Sequence, residues 1–300
     1  MKFRNTVSAV LALGAGFAVS PAAHAIEGYA QPWQMNLQPA ASPSMNAIHA
    51  FHNGLLLPII TAIVLLVLAL LIYVSVKFNA KANPVPSRTT HNTLVEVLWT
   101  VLPILILVVI AVPSFRLLYL QRDIPASDMT IKIIGNPGWN WTYEYPDLGV
   151  NDDGSAKVSF TATLDDNARD MATAKTAGVP YLLKTDNPVV VPVNKTVKLI
   201  VTSDPDGIIH SWTIPQFGMK IDAIPGRLNQ DWFHAEREGV FYGQCSELCG
   251  KDHAFMPIEV HAVSQQVFDT WAKTQLTAGL DAANKYLASA EAANGKLAQK

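Results

Sequence analysis

The chain runs to 300 residues, half of them hydrophobic, with a formal charge of −2 and two cysteines. Length alone allows about two domains. Mild acidity and the lack of any basic stripe exclude nucleic acid as a partner.

Residues 1–25 open with Lys2 and Arg4, continue through an apolar run at 7–19 and close on Ala23-His24-Ala25. A charged start, an apolar stretch and a small-x-small end mark a secretory signal peptide. Its removal makes Ile26 the first residue and, by taking away two positive charges, moves the formal charge from −2 to −4. Residues 26–53 follow as an external N-terminal segment. Residues 54–76 and 97–115 carry no charged side chain, and each stretch reaches the roughly 20 residues needed to cross the hydrocarbon core. Transmembrane helices are therefore expected at 54–76 and 97–119. Between them, residues 77–95 carry Lys77, Lys81 and Arg88 without an acid, which places the connecting loop 77–96 in the cytoplasm. A cleaved signal gives the same topology, with both termini outside. The expectation is an exported hairpin that carries an external domain at 120–263.

From residue 128 the pattern changes to short β-type runs at 130–134, 157–163, 189–193, 196–202 and 258–262. They are broken by turns such as Asp152-Asp153-Gly154, Asn194-Lys195 and Asp204-Pro205-Asp206-Gly207. Such spacing predicts an all-β, antiparallel sandwich or barrel of Greek-key type. Residues 264–300 are expected as a C-terminal helix and tail: a short helix at 264–274, then an Ala-rich end that is a mobile tail or a peripheral helix. Between Asp128 and Glu259, 18 acidic and 11 basic side chains leave a net −7. An acidic domain is ordinarily just a soluble one; the alternative use of that charge is to steer a basic partner.

Chemistry concentrates in Gln244-Cys245-Ser246-Glu247-Leu248-Cys249-Gly250-Lys251-Asp252-His253-Ala254-Phe255-Met256. The two cysteines stand four residues apart, a histidine follows after four more and a methionine after three. His210, in Ile208-Ile209-His210-Ser211-Trp212, can add a nitrogen from another loop. Two cysteines in an exported domain are usually a disulfide, but a disulfide leaves His253, Met256 and His210 without a purpose. Zinc accepts two Cys and two His, yet a thioether is a poor zinc ligand and a common weak axial ligand of copper. A blue-copper site needs two His, one Cys and an axial Met; this loop has one cysteine more. Two thiolates can bridge two coppers, with one histidine capping each metal and Met256 and a carbonyl, that of Glu247, in weak axial positions. One Cu(I), one Cu(II) and two thiolates carry a single net positive charge that one electron cancels, so burial stays inexpensive in both states.

Further motifs are His91-Asn92-Thr93-Leu94-Val95-Glu96 with Trp99-Thr100, Pro113-Ser114-Phe115-Arg116-Leu117-Leu118-Tyr119, Trp139-Asn140-Trp141-Thr142-Tyr143-Glu144-Tyr145, and Asp222-Ala223-Ile224-Pro225-Gly226-Arg227-Leu228-Asn229-Gln230. With the cysteine loop and His210-Ser211-Trp212, these make the chain resemble subunit II of haem–copper cytochrome c oxidases of bacterial type, over about residues 33–271. The resemblance implies a two-span hairpin and a cupredoxin-like Greek-key sandwich carrying the dinuclear copper centre CuA. By it, His210, Cys245, Glu247, Cys249, His253 and Met256 match the copper positions. The Glu247 carboxylate would also serve a Mg2+ shared with subunit I, for which a hard oxygen ligand is suitable. Trp139 matches the aromatic through which electrons reach the copper. Glu96, a carboxylate just inside the second span, matches the entrance of a proton path. Glu144, Asp147, Asp204 and Asp206 become candidates for docking cytochrome c. The sequence departs from the family pattern in three places: Gly135-Asn136-Pro137-Gly138 is one residue longer, Asn140 stands where an aromatic is common, and the Asp204 turn is extended.

The implied partners are subunit I with haem a, haem a3 and CuB, subunit III, cytochrome c and membrane lipid, in a bacterial inner membrane with the copper domain in the periplasm. The implied role is transfer of electrons from cytochrome c to haem a, coupled to proton pumping, with no oxygen chemistry on this chain. Two other readings compete. One is a membrane-anchored copper carrier without electron-transfer turnover; the other is a quinol oxidase subunit, which shares the fold but lacks the copper ligands.

Overall fold

Residues 28–298 are described by the structure, a computed structural model of the chain; the expected signal peptide at 1–25 lies outside them. Helix α1 (Pro43–Phe51) starts at Ser42, whose Oγ accepts the Met45 amide at 3.0 Å, and Pro43 sits where a missing N–H costs nothing. Through a π-type turn at His52–Leu56 it runs on into α2 (Leu57–Lys77). Helix α3 (Thr93–Arg122) is capped by the Asn92 side chain, which accepts the Val95 amide at 3.1 Å. Both membrane helices are apolar all round, with mean hydropathy 3.2 and 2.7, and neither is covered by the rest of the chain. Such helices face lipid.

Both helices outrun their apolar cores. The first is continuous over Pro43–Lys77, 35 residues, or about 52 Å at the α-helical rise, against a hydrocarbon core of roughly 30 Å. The surplus is α1, which stands above the membrane and packs on the β domain. Ser42 Oγ donates to the Phe217 carbonyl at 2.6 Å, and the bare Cα of Gly218 leaves room for Ile48 and Met45. Helix α3 starts at Thr93 rather than 97 and ends at Arg122 rather than 119, because the Asn92 cap and the polar last turn continue the helix past the hydrocarbon core.

The β domain comprises β1 (Met129–Asn136), β2 (Asn140–Glu144), β3 (Ser159–Ala162), β4 (Val189–Pro192), β5 (Thr196–Ser203), β6 (His210–Ile214), β7 (Met219–Ala223), β8 (Asn229–His234), β9 (Gly239–Gln244) and β10 (Pro257–Val263), with a one-turn-plus helix α4 (Met171–Ala177) between β3 and β4. One sheet has the order β3-β2-β1-β5-β8, a second β4-β10-β9, and β6-β7 forms a ribbon. The expected sandwich is present, but its pairing is not antiparallel throughout. β1 runs parallel to β5, with Ile131 opposite Leu199, and β10 runs parallel to β4, with Val260 opposite Val189. Each parallel pair joins strands far apart in sequence, a link that local turn signals do not encode.

Period-two burial along β1 and β5 turns Ile131, Ile133, Leu199 and Val201 inward. They meet Phe241, Ile258 and Val260 of the second sheet in one core. Strand β10 is buried on both faces: its outward Glu259 and His261 are met by Thr185 and by Glu291 of α6 (Leu280–Ala298), the helix that follows α5 (Gln265–Ala278). The Ala-rich end is a helix as far as it is described, seated on the domain through Ala283 and Leu287. At the other end of the chain, the N-terminal segment lies on the same domain: the Gly28 carbonyl accepts the Tyr242 amide of β9 at 2.9 Å, and Ala41 exchanges backbone bonds with Gln216 and Glu236.

Candidate metal centre

The loop from Cys245 to Met256 joins β9 to β10, and its two ends are tied by the Cys245 amide donating to the Met256 carbonyl at 3.0 Å. Ser246 N bonds the Ser211 carbonyl at 2.9 Å, which brings His210, the first residue of β6, over the loop. Trp139 Nε1 donates to the Cys249 carbonyl at 2.9 Å, and Lys251 Nζ lies 5.6 Å from the indole centroid. Gly250, at φ +114°, lets the loop pass the Trp139 edge; an added Cβ would stand 3.2 Å from Cζ2.

Within this frame the soft donors converge. The Cys245 and Cys249 sulfurs are 3.7 Å apart and unbonded, well beyond a disulfide's roughly 2.0 Å. His210 Nδ1 lies 3.8 Å from the Cys245 sulfur and His253 Nδ1 lies 3.4 Å from the Cys249 sulfur. The Glu247 carbonyl is 3.3 Å from the Cys245 sulfur. His210, Cys245, Cys249 and Met256 are buried, and His253 is half-buried. The donor atoms of His210, Cys245 and Cys249 all lie within 4.8 Å of one another.

Burial, followed by the adjoining Cys245 sulfur, pushes the Cys249 thiol up to about 12. Burial likewise lowers the basicity of His210, against the Asn136 carbonyl, keeping a neutral imidazole. Two neighbouring thiols in a dry pocket ionise together only when a cation compensates them. Soft sulfurs, imidazole nitrogens and a thioether fit copper.

Two residues that sequence reasoning missed hold His210 in place. A Cβ on Gly135 would stand 2.7 Å from His210 Cδ2, and the Trp141 ring meets the imidazole edge-on at 5.8 Å between centroids. Glycine in a strand can mark a close approach, but the partner at this one is set by tertiary structure.

The remaining candidates scatter. Trp139 sits against the loop in a left-handed conformation, φ +54°, and is half-buried. The Asp204 amide donates to the Gly135 carbonyl at 2.9 Å, so the Asp204–Asp206 turn borders the site. Glu144 and Asp147 do not. Glu144 pairs with Lys132 at 3.0 Å, and Asp147 accepts the Thr130 amide at 2.6 Å, toward the opposite end of the β1–β2 hairpin from Trp139. The Glu247 carboxylate is exposed in a cleft with Asp222, Asn229, Arg227 and Arg122. Glu96 lies far off in the first turn of α3, where its carboxylate accepts the Asn92 amide at 3.3 Å and closes the cap. A second polar cluster also escaped the sequence reading. His261 on β10 sets Nε2 2.9 Å from Glu259 and Nδ1 against Glu291 of α6, while Glu259 accepts the Thr185 amide at 2.6 Å.

Comparison with known proteins accounts for both halves of the chain. The pattern described as cytochrome c oxidase subunit II, transmembrane domain, matches residues 30–117, and that of cytochrome c oxidase subunit II, periplasmic domain, matches residues 129–263. A probable cytochrome c oxidase subunit 2 of Rickettsia bellii is 46% identical over 258 residues, covering 86% of this chain and 90% of the relative. Cytochrome c oxidase subunit 2 of Cereibacter sphaeroides is 43% identical over 283 residues, covering 90% and 92%. Among solved structures, the periplasmic domain of subunit II of cytochrome oxidase (CoxB) of Bradyrhizobium japonicum is 44% identical and covers 54% of this chain and 99% of that one, at a TM-score of 0.43. With two lipid-facing helices, a β-sandwich and a buried His/Cys cluster, the chain belongs to the cytochrome c oxidase subunit II family.

Proposed function

We propose that this chain is the electron-accepting subunit of a cytochrome c oxidase: it takes electrons from cytochrome c and hands them to haem a of subunit I, in a complex that also holds haem a3, CuB and subunit III and pumps protons. The observation that carries the reading is the pair of sulfurs 3.7 Å apart, each flanked by the Nδ1 of a different histidine. His210, Cys245, Cys249, His253, Met256 and the Glu247 carbonyl would hold a dinuclear copper centre, CuA, which when bound supplies one-electron exchange.

The protein's own groups set the conditions for that exchange. The buried thiols, the His210 imidazole and Met256 exclude water, so little solvent rearranges around the site. The loop is pinned from three sides, by Ser211, Trp139 and its own closing bond, so the donor positions move little. Trp139 connects this loop to the surface through one hydrogen bond, which supports it as the electron inlet. Ile208, Ile209 and Leu248 are exposed beside the site, and the Asp204–Asp206 turn borders it, a mix of apolar centre and acidic rim suited to a basic partner. Glu144 and Asp147 stand further off and would act only through long-range steering. The exposed Glu247 carboxylate, beside Asp222, leaves an open position for a Mg2+ shared with subunit I. Glu96, at the end of α3 remote from the β domain, would open a proton path into subunit I.

The N-terminal segment and the β domain lie together, which supports a hairpin with both ends on one side. With positive residues in 77–96, that side is read as the periplasm of a bacterial inner membrane.

Copper content and electron paramagnetic resonance test the proposal. The full chain should bind two coppers and give a seven-line mixed-valence spectrum. One labile Cu(I), as for a copper carrier, or a colourless zinc site overturns it.

A further inference from the structure

A cavity of about 190 Å³ lies at the junction of the membrane helices and the sandwich, and the electron-transfer reading leaves it unused. Helix α3 has 30 residues, about 45 Å of length, which matches a bilayer with its headgroup regions. Arg122, its last residue, therefore stands at headgroup level. Leu118 and Arg122 of α3, Lys220 of β7, and Asp231 and Trp232 of β8 line the cavity.

Among the described residues its charged groups form no ion pair. The Asp231 carboxylate accepts from the Trp232 amide at 2.8 Å, but among the described residues it has no cation within ion-pair distance. Arg122 is near enough to favour its ionisation without pairing with it. Burial raises the Asp231 carboxyl to about 6, so the group is short of compensation.

We propose that the cavity holds the headgroup of an amine-bearing phospholipid, with the phosphate between Arg122 and Lys220 and the ammonium on Asp231. Both signs of charge are needed. A bare anion would meet the Asp231 carboxylate, whereas a zwitterion satisfies the acid and the two cations at once. Leu118 is 47% exposed on the lipid side of the same wall, so acyl chains can continue down the apolar face of α3.

The test is native mass spectrometry of the full chain in detergent micelles, titrated with phosphatidylethanolamine, phosphatidylcholine, phosphatidylglycerol or inorganic phosphate. No metal is required, so the outcome is independent of the copper reading. One phosphatidylethanolamine should bind per chain, ahead of the other three. Asp231→Asn and Arg122→Gln should each weaken it roughly tenfold or more, as loss of a charge-assisted hydrogen bond does. Lys220→Gln, at an exposed position, gives the same readout without touching the core. Equal binding of phosphatidylglycerol, displacement of the lipid by inorganic phosphate alone, or phosphatidylethanolamine binding unchanged in Arg122→Gln and Lys220→Gln overturns the proposal.

Discussion

Replacing Gly135 by alanine should disable the metal centre from outside its donor set. The new methyl would stand 2.7 Å from His210 Cδ2, about 0.7 Å short of ordinary contact at 3.4 Å. Neither side can give way easily. The Gly135 carbonyl is held at 2.9 Å by Ser203 Oγ and again by the Asp204 amide, while the imidazole is confined by Trp141. The ring must therefore shift by about 0.7 Å, well beyond the roughly 0.2 Å tolerance of a metal–ligand bond. Copper affinity should fall roughly 10–100-fold, as when support of a ligand is lost, with about 1–3 kcal/mol of stability lost to overpacking. Copper per chain, the paramagnetic resonance spectrum and thermal melting of the metal-free protein read these effects separately. Gly138→Ala is the control, since its methyl meets only the Asn140 amide tip at 3.0 Å. A Gly135→Ala protein with two coppers and an unchanged spectrum would refute the reasoning.

Three other outcomes are expected. Trp139→Phe removes the bond to the Cys249 carbonyl and should cost about 1 kcal/mol while copper is retained. Electron uptake in stopped flow with reduced cytochrome c should slow, and an unchanged rate would remove Trp139 from the route. Asp204→Asn with Asp206→Asn should weaken cytochrome c association most clearly at low salt; rates equal at every ionic strength would clear both acids of a docking role. The third concerns His261. Burial opposes its charge, but the hydrogen bonds and charges of Glu259 and Glu291 win and hold it at about 9, above its ordinary 6.5. A raised folded value means the stabilisation is complete below pH 6.5 and fades as pH rises through about 9, by at most about 3 kcal/mol. His261→Gln should flatten the melting temperature across that window, and a slope equal to the unmodified protein's would show that another group titrates.

The donor loop was legible because its chemistry is local: Cys245, Cys249, His253 and Met256 fall within one twelve-residue turn. His210 was visible as a histidine, but its pairing with Cys245 depends on Ser246 bonding Ser211 across two strands. Gly135 was noted only as the start of a run longer than the family's, since nothing near it in sequence announces an imidazole on the far side. The β1–β5 and β10–β4 pairings were hidden for the same reason: parallel register is set by packing, whereas hairpins carry turn signals. The last helix was half legible. Its alanines suggested a weakly held end, yet small residues let α6 sit close to the domain at Ala283, and Glu291 bonds a histidine thirty positions earlier.

The bond between Gly28 and Tyr242, and those of Ala41 with Gln216 and Glu236, make the membrane hairpin an insertion within one folded unit. The sandwich is completed by a strap from before the first span. Strap and sandwich meet only if the intervening chain crosses the bilayer an even number of times. A chain whose second span failed to insert would leave the two pieces on opposite sides, with the faces of β9 and the Phe217 turn uncovered. Completion of the domain therefore depends on both spans having crossed.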